Sequence, residues 1–148
     1  MASEFSKVLV HSLLKMSWPH MSRHVIDSYA WIEYLDGTEI GHKVSDLIEE
    51  NEEIFTSVLT VAEIVSKVAR KGKDVKVAYD ILTSNSTIIN ADAELSLQAG
   101  LLHCDMRKAL KDFGLADAYV LATARKLKAK VLTGDLHFKN VKDAVLIK

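Results

Sequence analysis

Short stretches of three or four residues, each built on two or three consecutive apolar residues, recur along this chain between longer amphipathic stretches. That alternation constrains the fold more than any other feature. His24-Val25-Ile26, Ile54-Phe55-Thr56, Thr87-Ile88-Ile89-Asn90, Lys130-Val131-Leu132-Thr133 and Val145-Leu146-Ile147 each read as a short strand. Between them, apolar residues return at helical spacing: Tyr29 to Leu35, around Val44, Leu47 and Ile48, from about Leu59 to Arg70, and through Val77, Ala78, Ile81 and Leu82. A longer helix is expected from about Asp92 to Leu110, carrying Leu95, Ala99, Leu102 and Met106 inward. Asp36-Gly37, Gly72 and Gly134-Asp135 supply the turns and breaks. Strands alternating with helices predict an α/β fold, a three-layer α/β/α arrangement with a mostly parallel central sheet. In such sheets the ligand crevice lies beyond the carboxyl ends of the strands.

A chain of 148 residues, about half of them hydrophobic, is long enough to bury one core, and a single domain over residues 21–148 is expected. No apolar run approaches the ~20 residues needed to span a bilayer, so no membrane association is expected. Cys104 is the single cysteine, which removes disulfide frameworks and cysteine-rich zinc sites and fits a reducing, cytoplasmic home. Residues 1–20 read as an appendage, with Phe5, Val8, Leu9 and Leu13 at helical spacing and the only proline at Pro19. Met21-Ser22-Arg23-His24 resembles a natural start, so residues 1–20 are expected to be an extension added in cloning or by a mis-assigned start; a partner-binding helix is the rival. The formal net charge is only −1, but it is uneven, with an acidic patch from Asp46 to Glu53 and a basic excess from Arg107 onward. Such asymmetry is compatible with a polyanion partner, but is more often just a solvated face.

The stretch Phe113-Gly114-Leu115-Ala116-Asp117-Ala118-Tyr119-Val120-Leu121-Ala122-Thr123-Ala124 carries the first chemical signal. A helix starting near Ala116 puts Asp117 on one stripe with Val120, Leu121 and Ala124, so a carboxylate faces inward and needs a partner. Asp27 directly follows the first strand, Asp135 follows another after one glycine, and Glu63 and Asp117 fall in the first turns of helices that begin at the same edge. Four acids from distant parts of the chain therefore converge on one end of the sheet. Packed like charges raise one another's pKa and destabilise the fold unless a cation neutralises them. An all-oxygen set suits Mg²⁺ or Mn²⁺, which leads most often to phosphoryl chemistry. Each acid also has a plain structural reading. Asp27 could cap the following helix; Glu63 could close a capping box with Thr60 or pair with Lys67; Asp135 could be a turn residue.

Val25-Ile26-Asp27-Ser28, Ser57-x-x-Thr60-x-x-Glu63, Leu115-Ala116-Asp117-Ala118 and Leu132-Thr133-Gly134-Asp135-x-His137-Phe138 resemble, in order and spacing, the four motifs of PIN domains. The likeness is greatest to VapC-type toxins of prokaryotic toxin–antitoxin pairs and covers roughly Arg23 to Lys148. It implies a metal-dependent endoribonuclease that cuts structured RNA, is blocked by a small cognate antitoxin, and forms a homodimer, for which Trp31 and Tyr34 are candidate contacts. Asp27, Glu63, Asp117 and Asp135 would hold one or two Mg²⁺ or Mn²⁺ ions: the three aspartates directly, Glu63 by orienting water or completing a second ion site. In-line attack by an activated water would leave 5′-phosphate and 3′-hydroxyl ends. Ser28 and Thr133 would hydrogen-bond a carboxylate or bound water, or else serve as cap and strand-end residues. Arg107, Arg125 and Lys126 are candidates for the RNA backbone, or for solubilising surface charge, the commoner role of any one such residue; His137 for phosphate or a structural role; and His103 and Cys104 for packing.

The main rival is a PIN-like module that binds RNA or protein and is catalytically inactive; the complete acidic quartet argues against it. A phosphoacceptor receiver would need an acidic neighbour beside Asp27, and a haloacid-dehalogenase-type phosphatase would need Asp-x-Asp there, whereas Ser28-Tyr29 follows.

Overall fold

The computed structural model describes residues 22–50 and 52–147, so the expectation for residues 1–20 lies outside the described residues. Strand β1 (Arg23–Ile26) leads into helix α1 (Ser28–Leu35) and α2 (His42–Glu49). Then come β2 (Glu53–Ser57), α3 (Val58–Arg70), α4 (Val75–Asn85) and β3 (Thr87–Ile89). The chain closes with α5 (Ala93–Met106), α6 (Leu115–Leu127), β4 (Lys130–Thr133), a 3₁₀ turn (Leu136–Phe138) and β5 (Ala144–Leu146). The five strands form one sheet in the order β3-β2-β1-β4-β5, and every neighbouring pair is parallel.

Strand periodicity sorts the core into two halves, because successive side chains point to opposite faces. Val25 and Val131, paired across β1 and β4, face α5 and α6. Their successors Ile26 and Leu132, also paired, face the layer made by α1, α2, α3 and α4. A parallel sheet covered on both faces needs apolar residues at consecutive positions, and β1 and β4 supply them. The interior of α6 is buried almost all round, from Val120 through Ala124, and its alanines let α5 approach closely. Tyr119 Oη donates to Ser96 Oγ at 2.8 Å and ties the two helices together.

Helix starts follow local chemistry. Asp27, Asp74 and Asp92 each accept a backbone N–H from the first turn of the helix they precede. Gly72 ends α3 in the left-handed region, φ +67°.

Several expectations need correction. Helix α3 starts at Val58 with Ser57 as its cap, so Thr60 is not a cap and makes no capping box with Glu63. Helix α5 stops at Met106 instead of running to Leu110: Lys108 and Ala109 fold back onto Asp105 O and Met106 O, each at 3.2 Å, so that Phe113 can enter the core. Val77 is 53 % exposed while Ala78 and Leu82 are buried. Cys104 is exposed and does not pack inward. Trp31 is fully buried and donates Nε1–H to Thr56 Oγ1 at 3.0 Å, so it is core and not a subunit contact. No helix among the described residues is long and apolar enough to cross a membrane.

Candidate metal centre

The carboxyl ends of β1 and β4 lie side by side, and each passes directly into an acid-bearing turn. Asp27 is only 4 % exposed, and both its oxygens are engaged: Oδ1 accepts the Ala30 N–H at 2.9 Å and Oδ2 accepts the Thr133 hydroxyl. Thr133 Oγ1 in turn accepts the Asp135 N–H at 2.9 Å. One threonine thus latches the turn after β4 to the turn after β1. Asp135 Oδ1 caps the 3₁₀ turn by accepting the His137 N–H at 2.9 Å. Gly134 packs against Tyr29, in the first turn of α1: a Cβ there would clash with the Tyr29 ring.

Helix α6 delivers Asp117 to the same edge, on the stripe with buried Val120, Leu121 and Ala124. Its Oδ2 accepts the Gly114 N–H at 3.2 Å, which fixes the carboxylate over the helix start. Glu63 lies one turn into α3, farther along than the first-turn position expected, and is exposed.

These groups feel one another. Burial, followed by the charges of Asp117 and Asp135, pushes the Asp27 carboxyl up to about 7, against the lowering effect of its two hydrogen bonds. Asp117 is raised by burial and by Asp135, while the Gly114 N–H and His137 oppose the rise. Glu63 is raised by the partial desolvation of its carboxyl at the mouth of the cluster and by Asp117, with Lys67 opposing. Among the described residues, no lysine or arginine forms an ion pair with any of the four acids. Lys67 does not close the expected pair with Glu63.

A ligand oxygen of Asp117, one of Asp135 and a ring nitrogen of His137 all lie within 4.8 Å of one another. A six-coordinate Mg²⁺ with bonds of about 2.0–2.1 Å sets opposite ligands roughly 4.2 Å apart, so three donors at this spacing could share one ion, with the other positions left to water or substrate. Clustered carboxylates that raise one another's pKa, with no lysine or arginine paired to them among the described residues, fit a divalent ion.

Ser28 is half-buried beside Asp27, and among the described residues its hydroxyl makes no hydrogen bond. Arg125 and Lys126 occupy the last turn of α6, at the far end from Asp117, and pair with Asp143 at 3.2 Å and Asp92 at 3.8 Å. Arg107 is exposed just beyond α5, and His103 is half-buried within it. A groove of about 300 Å³ runs between these regions, from Leu136 and His137 past Met106 to Arg125 and Lys142. The structure adds His137 to the cluster. Its signal in the sequence was the Asp-x-His spacing, which a tight turn brings to one side.

The PIN domain family model matches residues 24–144, and the chain belongs to this family. Comparison with the curated proteins found no match. Among solved structures, the chain is similar to one from the VapBC2 complex of Rickettsia felis bound to a DNA fragment from their promoter. That likeness has a TM-score of 0.67 at 19 % identity and covers 83 % of this chain and 96 % of that one. The Mycobacterium tuberculosis VapC20 toxin, described as cleaving the sarcin–ricin loop, aligns with a TM-score of 0.64 at 16 % identity, over 81 % of this chain and 95 % of that one. A chain of a Klebsiella pneumoniae toxin–antitoxin complex aligns with a TM-score of 0.65 at 19 % identity, over 84 % and 98 %. At these identities the likeness concerns the fold.

Proposed function

We propose that this chain is a divalent-metal-dependent endoribonuclease that hydrolyses structured RNA, acting as the toxin of a type II toxin–antitoxin pair in the cytoplasm. The observation that carries the reading is the convergence of Asp27, Asp117 and Asp135 at the carboxyl edge of a PIN-type sheet, with Glu63 within electrostatic reach and, among the described residues, no lysine or arginine in an ion pair with them. Asp117 and Asp135 would hold the ion directly, with the Asp27 carboxylate beside them to contribute a remaining lone pair or to support the two ligands. A bound divalent ion would supply Lewis-acid activation of water and neutralise charge building on the phosphate oxygens.

The chain's own groups do the positioning. Thr133 holds Asp27 and the Asp135 turn in one register, and the Gly114 N–H keeps Asp117 aimed at the same point. Glu63, whose carboxyl is raised and exposed, takes up the proton released by the attacking water. The groove toward Arg125 and Lys142 gives the RNA backbone a path away from the acids, along cations that neutralise phosphate. A small cognate antitoxin and a homodimeric assembly complete the proposal; the likeness to toxin–antitoxin complexes supports the antitoxin, and the homodimer rests on the motif resemblance alone.

The test is cleavage of a mixed structured-RNA substrate by pure protein in Mg²⁺, Mn²⁺ or EDTA, with Asp117→Asn as control. Metal-dependent cutting that the variant loses is expected. Metal binding without any cutting by the wild type would favour an inactive PIN-like binding module.

A further inference from the structure

The imidazole of His137 is held in a setting that its role as a turn residue does not explain. Its Nδ1 is shielded from solvent and has no hydrogen-bond partner, although Asp135 Oδ1 is only 3.2 Å away. That oxygen already accepts the His137 backbone N–H, so the ring nitrogen lies near it without alignment. The ring plane is restrained by Phe113, which meets it edge-on at 6.5 Å and 69° and is itself fully buried against Phe138. A shielded polar atom left without a partner destabilises the fold, so the arrangement calls for a ligand that the free chain does not supply. The cluster formed with Asp117 and Asp135 shows where that ligand would sit.

We propose that His137 is a direct nitrogen ligand of the ion, giving a mixed Asp117/Asp135/His137 donor set that favours a transition cation such as Mn²⁺ over Mg²⁺. This inference rests on the metal-dependent reading above and changes its chemistry, because the sequence suggested oxygen donors only. Mg²⁺ prefers oxygen and sheds water reluctantly, whereas first-row transition ions accept imidazole readily. Asp27, with both oxygens already hydrogen-bonded, becomes a supporting carboxylate that steadies the Asp135 turn.

Pulsed electron paramagnetic resonance of the full chain loaded with Mn²⁺ reads this directly, with Mn²⁺ and Mg²⁺ affinities titrated in parallel. The wild type should show ¹⁴N coupling to Mn²⁺, and His137→Ala should lose it. Removing one ligand should weaken Mn²⁺ binding by roughly tenfold or more, with Mg²⁺ affinity changed by no more than about twofold. His137→Gln, which keeps the side-chain bulk, should behave as His137→Ala does if the nitrogen is the cause. Bound Mn²⁺ that Asp117→Asn weakens but that shows no ¹⁴N coupling would overturn the His137 assignment alone. A parallel fall in Mn²⁺ and Mg²⁺ affinity would overturn the selectivity. A wild type that binds no Mn²⁺, or an Asp117→Asn variant that binds it unchanged, would overturn the metal reading itself.

Discussion

Replacing Asp27 by asparagine should make the metal-free protein more stable at alkaline pH, although it removes a residue proposed to serve the site. The Asp27 carboxyl is raised from the ordinary 3.8 to about 7 in the folded chain, chiefly by burial. Between these values the folded state holds a proton that the unfolded state has released. Stability from this group is therefore greatest at low pH and falls as pH rises through the window. A rise of about 3 units at 1.36 kcal/mol each corresponds to about 4 kcal/mol of destabilisation at pH 8. Asparagine is neutral at every pH and its Oδ1 can still accept the Ala30 N–H. Its amide must meet Thr133 Oγ1 as a donor, and that hydroxyl loses its acceptor, a cost of about 1 kcal/mol. The net gain at pH 8 is of order 3 kcal/mol, or roughly 6–12 °C in Tm for a chain of this size. At pH 4 the variant should be no more stable than the wild type. Differential scanning calorimetry in EDTA from pH 4 to 8 measures the difference. Saturating Mn²⁺ should then stabilise the wild type, by about 2.7 kcal/mol at a hundredfold excess over Kd, and stabilise the variant less. A Tm difference between the two proteins that does not change with pH, or an equal response to Mn²⁺, would refute the reasoning.

Two further substitutions probe the surroundings. Gly134→Ala places a Cβ in clash with the Tyr29 ring and should separate the two acid-bearing turns; Mn²⁺ affinity should drop by roughly tenfold, and Tyr29→Ala in the same chain should restore part of it, as isothermal titration of both variants would show. Trp31→Phe removes the hydrogen bond to Thr56 Oγ1 from the opposite half of the core; it should cost about 1–3 kcal/mol in urea unfolding while Mn²⁺ affinity stays at the wild-type value.

Much of the fold was legible because each strand is a run of consecutive apolar residues, as a sheet covered on both faces requires. The inward stripe of α6 was legible for the same reason: Asp117 lies on the face that buries Val120, Leu121 and Ala124. Ambiguity arose where two residues offer the same chemistry. Ser57 and Thr60 are both good helix caps, and only the point where β2 stops pairing chooses Ser57, moving Glu63 a turn further into α3. Trp31 could be read as a surface aromatic because its partner Thr56 is 25 residues away and the bond between them depends on tertiary packing. His137 was visible, but its direction was not. The 3₁₀ turn after Asp135 and the buried Phe113 aim the imidazole at the acids, and neither is encoded within the motif itself.

The most direct measurement of the central claim is the chemistry of the RNA ends produced in Mn²⁺. Hydrolysis at a carboxylate-bound ion predicts 5′-phosphate and 3′-hydroxyl termini, no cleavage in EDTA, and none by Asp117→Asn. Either of two results would contradict it: cyclic 2′,3′-phosphate ends, which mean that the RNA's own 2′-hydroxyl attacks instead of water, or cleavage that persists in EDTA, which means that the ion these acids are proposed to hold is not needed.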